Sequence, residues 1–100
     1  MKKYYRITYE GEGIYNALRN IISMSEWRKL LSLECMTWLP KPNYYSKTNR
    51  SYFTQKGFDM FICKTLPLML KYMDSDKVQI QTYETINEIM YEDLYQVITE

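Results

Sequence analysis

Histidine is missing from all 100 residues. That removes the commonest general base and the commonest metal ligand together, so any catalysis would rest on carboxylates, Tyr, Lys or Cys. Only two cysteines occur, Cys35 and Cys63. Without histidine they cannot complete a structural zinc site, and the expectation is two reduced, part-buried thiols. Neither a metal nor a cofactor is expected. No apolar run approaches the ~20 residues needed to span a membrane. The opening MKKYYRITYE has two lysines but no apolar segment of a signal peptide, so the cytoplasm is the expected location. Phosphate-binding G-x-x-x-x-G-K-[ST], dinucleotide-binding G-x-G-x-x-G and the G-x-S-x-G elbow are all absent. A sequence pI near 7.7 and the lack of a basic helix give no footprint of a nucleic-acid partner.

Residues with GC-rich codons are also scarce. Gly, Ala, Arg and Pro total 11, with alanine only at Ala17, whereas Phe, Tyr, Met, Ile, Asn and Lys total 44. This balance suits an AT-rich genome, such as that of a low-GC bacterium, its phages or some eukaryotic parasites. A small chain of this kind is expected to be phage or mobile-element cargo.

What is present describes one globular domain spanning 1–100, with 46% apolar and 25% charged residues. Charge is divided along the chain. Residues 1–50 carry nine Lys/Arg and four Asp/Glu, while residues 51–100 carry four and eight. A two-signed surface suits a partner of complementary charge or self-association, so a homo-oligomer is an open expectation.

Lys3 to Tyr9 alternates as a strand, with Tyr5, Ile7 and Tyr9 on one face and Tyr4, Arg6 and Thr8 on the other. Glu10–Gly13 ends it in a turn. Ile14, Leu18, Ile21 and Ile22 then follow a helical period, and Ser23 with Glu26 offers a capping box for a second helix that stops before Pro40. Thr54 is a good N-cap for a third, along Phe58, Phe61, Ile62, Leu66, Met69, Leu70 and Met73, with a kink or break expected at Pro67. Lys77 to Tyr83 alternates again. Residues 86–98 fit either a helix or a strand, and the β-prone run YQVIT favours the strand. The expected architecture is α+β, a small antiparallel sheet of about three strands with three helices packed on one face.

Between these elements lies WLPKPNYYSKTNRSYF, residues 38–53, rich in aromatics and cations and free of acids. Loops this long in compact domains are usually functional or flexible. Trp38, Tyr44, Tyr45 and Tyr52 can stack on flat ligands, and Lys41, Lys47 and Arg50 can meet phosphates. The same residue types populate protein–protein hot spots. Ordinary core-edge packing is the alternative. Eleven tyrosines suggest a polar cavity or interface, or simply codon usage. Glu92 and Asp93 are adjacent carboxylates, which in a strand would point to opposite faces.

Three pieces in order, YYRITYEG, RSYFT and YEDLYQVI, resemble the strand motifs of ADP-ribosyltransferases. The resemblance implies NAD phosphates held by Arg6, nicotinamide positioned by Ser51 or Tyr52, and Glu92 at the ribose. The full Ser-Thr-Ser element is missing, and Met90 stands where that family has Glu or Gln two residues before its catalytic Glu. The expected function is therefore non-catalytic binding, with a host protein or a nucleotide-type ligand engaged through the aromatic, basic loop and thereby blocked or sequestered. An NAD-handling enzyme is the alternative.

Overall fold

Tyr4–Tyr9 (β1) is the strand its alternation predicts, and the rest of the sheet is arranged around it. A computed structural model describes residues 2–42 and 49–100. Glu10 and Gly11 both take positive φ, 50° and 86°, closing a two-residue hairpin that sets Glu12–Gly13 (β2) against Thr8 and Tyr9. Positive φ at both central positions gives the strands the twist they need, and glycine supplies one of them without steric cost. The other strands are Arg50–Phe53 (β3), Val78–Tyr83 (β4), Ile89–Glu92 (β5) and Gln96–Thr99 (β6). All pairings are antiparallel, in the order β4–β1–β3–β6–β5.

Six strands replace the three expected, for identifiable reasons. The extended piece at Arg50–Phe53 is a central strand. Residues 86–98, read as one strand, form the β5–β6 hairpin. Its turn carries neither Gly nor Pro; a side chain makes it. Asp93 Oδ1 accepts from the backbone N–H groups of Tyr95 (2.8 Å) and Gln96 (3.0 Å), while Asp93 N–H donates to the Gln96 carbonyl. Asp93 Oδ2 accepts from the Tyr91 hydroxyl at 2.9 Å, and this bond holds the Tyr91 phenol above its ordinary pKa. Asp93 is thus a turn residue. We expect Asp93→Ala to cost about 1–3 kcal/mol, because it leaves partly buried donors without an acceptor. Chemical denaturation of the two proteins measures it.

Helices cover the face bearing Tyr5, Ile7, Tyr9 and Phe53. Ile14–Ile21 (α1) buries Ile14, Ala17 and Leu18. Met24–Leu31 (α2) begins where the capping box predicts, with Ser23 Oγ accepting from Glu26 N–H at 3.2 Å. It ends earlier than expected, as Ser32 Oγ bonds the Lys29 carbonyl (2.7 Å), and a separate short helix, Glu34–Thr37 (α3), follows. The third predicted helix runs Gln55–Met60 (α4), widens into a π-helical turn at Phe61–Thr65, and returns to α at Leu66–Met69 (α5). Pro67 lies in the first turn of α5. The wider turn before it accommodates a residue that cannot donate to the preceding carbonyls. Phe61, Leu18 and Met69 are fully buried in the resulting core, and the Tyr5 ring stacks on Phe58 at 4.3 Å. Cys35 is half-buried as expected, but Cys63 is exposed; both are free thiols.

Residues 84–88 join the two edges of the sheet, β4 and β5. The rings of Tyr52 on β3 and Tyr83 on β4 meet edge-on at 5.3 Å, with β1 between their strands. Tyr52 and Val97 are buried on the face without helices. Among the described residues no helix is long and apolar enough to cross a membrane.

Candidate ligand cleft

β4 pairs with every residue of β1, so β2 and β3 must share its other edge. β2 takes Thr8 and Tyr9, and β3 meets β1 at Tyr5↔Phe53. Arg6 and Ile7 fall between these contacts and have no strand partner on that side among the described residues. Continuing the β3 register would set Arg6 against Tyr52, but the strands splay. A cleft of about 470 Å³ opens there, within the range of small-molecule sites.

Its walls are mostly apolar. Ile7, Ile14, Trp27, Leu31, Met36 and Phe53 supply the body, and Tyr5, Tyr15 and Tyr52 also line it. The charged residues of the lining are all cations, Arg6, Arg19 and Lys41; among the described residues no carboxylate lines it. Asn16, Ser51 and Gln96 add neutral polar groups. Gln96, only 2% exposed, donates from Nε2 to the Pro40 carbonyl (2.7 Å) and to Asp93 Oδ2 (3.1 Å), tying the segment that carries Lys41 to the sheet. An apolar slot with cations around it favours a flat ligand bearing negative charge, because stacking and charge-assisted hydrogen bonds act on different parts of one molecule.

The structure distributes the sequence candidates unevenly. Arg6, Lys41, Ser51 and Tyr52 come together in the cleft. Trp38 does not line it. Its indole N–H donates to Thr65 Oγ1 (2.8 Å) and the Cys35 carbonyl (3.1 Å), and its rings pack on Phe53 and Tyr95. Trp38 therefore joins α3 to the π-helical turn. Arg50 is exposed opposite Thr99, away from the cleft. Tyr44, Tyr45 and Lys47 lie outside the described residues. Glu92 sits opposite Val97 on β5 and lines a separate depression with Lys2, Lys3, Thr54, Lys56 and Leu94.

Sequence reading missed Arg19, Trp27, Gln96 and the apolar walls. Arg19 and Trp27 carry no signal of a site along the chain, and only the splay of β1 from β3 brings them to the cleft that Arg6 also lines. No pattern along the chain encodes that splay. Among the described residues no group of three or more Asp, Glu or Cys could hold a metal ion. No protein-family model, curated protein or solved structure matches the chain.

Proposed function

We propose that this chain is a non-catalytic binding protein that takes a flat, anionic, nucleotide-type ligand into the cleft between β1 and β3. One observation carries the reading: a largely apolar cleft whose charged lining, among the described residues, is cationic, with Arg6, Arg19 and Lys41. The base would lie against the aromatic and aliphatic walls, and the phosphate would meet the guanidinium and ammonium groups. With a codon balance suited to an AT-rich genome, the chain fits a phage or mobile-element accessory protein acting in the cytoplasm, which sequesters a host nucleotide signal.

The alternative of an ADP-ribosyltransferase-like enzyme gains something from Arg6, Ser51 and Tyr52 sharing the cleft. It loses more from Glu92, which opens into a different depression. A general acid–base or oxocarbenium-stabilising carboxylate must reach the same ligand that Arg6 holds.

A thermal-shift screen of the purified protein against mononucleotides, NAD, ADP-ribose and cyclic oligonucleotides tests the proposal. Ligand at 100 times its dissociation constant adds about 2.7 kcal/mol, a rise of roughly 10 °C or more for a domain of this size. The ligand should be recovered unchanged. Release of nicotinamide from NAD would favour the enzyme. No shift with any member would leave a protein partner as the reading to pursue, with capture from host lysate as its assay.

A further inference from the structure

The two edges of the sheet are protected very differently. β5 is short, has a register break between Ile89 and Tyr91, and carries Glu92. Bulges, charges and short length are the usual devices that keep an edge from pairing with another chain. β4 has none of them. Its six residues, VQIQTY, contain no charge and no proline, run in unbroken register along β1, and have no second strand beside them among the described residues. Ile80 is 48% exposed in the middle of this edge, and Gln79, Gln81 and Thr82 are exposed around it.

We propose that β4 pairs antiparallel with β4 of a second copy of the chain, about a two-fold axis at Ile80, so that one sheet runs continuously through a dimer. The register follows from geometry. Directly facing residues of an antiparallel pair project to the same side of the sheet, and a two-fold axis perpendicular to the sheet leaves the sides unchanged. The axis must therefore pass through a residue, not between two.

At Ile80 it sets the two Ile80 side chains against each other, Val78 against Thr82 of the second copy, and Gln79 against Gln81. Ile80 meets Ile80, β-branched Val78 meets β-branched Thr82 and amide meets amide, while Lys77 comes opposite Tyr83 at the rim. An axis at Gln81 would instead face Val78 with Glu84 and Ile80 with Thr82. An axis at Gln79 would keep only residues 78–80 of each strand paired. The register at Ile80 is thus the one that pairs most of the strand without setting Val78 against Glu84, and this self-complementarity argues for a second copy over a foreign peptide. The exposed Leu70 and Tyr72 lie on the segment leading into β4 and add apolar surface there. The cleft is on the other side of β1, so pairing leaves it open.

Sedimentation of the full chain across a concentration series, with two kinds of variant, tests this. Wild type should reach twice the 12.2 kDa chain mass, and Ile80→Lys should stay at one chain mass with an unchanged circular dichroism spectrum. In a Cys63→Ser background, Ile80→Cys should form an intermolecular disulfide on mild oxidation, since facing Cα atoms lie within disulfide reach, whereas Gln81→Cys should not. A wild type that is monomeric at every concentration overturns the proposal. So does a dimer that Ile80→Lys leaves intact, or crosslinking that is equal at both positions.

Discussion

Replacing Gly57 by alanine should destabilise the protein by about 3 kcal/mol or more, against what helix propensity alone predicts. Alanine is the better helix former by about 1 kcal/mol, so at an ordinary position of α4 the substitution would stabilise. Here a Cβ would lie 1.8 Å from the carbonyl oxygen of Tyr95 and 2.7 Å from its carbonyl carbon. Both are backbone atoms and cannot swing aside. Relief requires α4 to move off the β5–β6 hairpin, which is where its start is fastened. Thr54 N–H donates to the Tyr95 carbonyl (3.0 Å), Thr54 Oγ1 donates to the Leu94 carbonyl (2.7 Å), and the same Oγ1 accepts from Gly57 N–H at 3.2 Å as the N-cap. Overpacking combined with loss of a cap and of the hydrogen bonds to the hairpin falls in the upper range of single-substitution effects. At about 4–8 °C per kcal/mol the melting temperature should fall by roughly 12–24 °C. Thermal melts of Gly57→Ala beside the exposed neighbour Lys56→Ala measure this. A Gly57→Ala protein as stable as wild type would mean that α4 does not rest on Tyr95.

The second large effect concerns the cleft. Arg6→Met should weaken a nucleotide that produces a thermal shift by roughly tenfold to a hundredfold, the range expected when a charge-assisted hydrogen bond is lost. Methionine keeps an apolar stem of similar reach, and Arg6 has no carboxylate partner in the cleft lining, so the melting temperature without ligand should stay within a few degrees. Raising the salt concentration should weaken wild-type binding more than binding by the variant, because one ionic contact is already gone. Glu92→Gln should leave affinity unchanged. Calorimetric titration of the three proteins separates the readings. Equal affinity in Arg6→Met and wild type would remove the cation from the site, and a loss confined to Glu92→Gln would shift attention to the depression beside Lys2 and Lys56.

Local signals were legible in the sequence where a residue's own neighbours decide its conformation. Ser23 and Thr54 cap the helices that their types predict, and Tyr5, Ile7 and Tyr9 share the buried face that alternation predicts. The α+β class followed from these. Strand number did not, because β3 has only four residues and because the Asp93 side chain makes a turn that composition does not announce. The β-strand reading of 86–98 held while its continuity failed. The cleft was half legible. Lys41 and Tyr52 are candidates of the aromatic, basic loop and Arg6 and Ser51 follow from the ADP-ribosyltransferase resemblance, and the segments that carry them do meet. Trp38 was chosen on the same grounds, yet its indole N–H is committed to Thr65 and Cys35. Side-chain type shows what a residue can bind; its other hydrogen bonds and ring contacts decide whether it is available.

The most direct test of the central claim is an NMR titration of the isotope-labelled protein with the nucleotide giving the largest thermal shift, following backbone amides and the indole N–H signals. If the ligand occupies the β1–β3 cleft, the largest changes fall on Arg6, Ile7, Ser51, Tyr52 and Gln96 and on the Trp27 indole, while the Trp38 indole and β5 stay nearly fixed. Changes centred on Lys2, Lys56 and Glu92, with the cleft signals unmoved, would contradict the account.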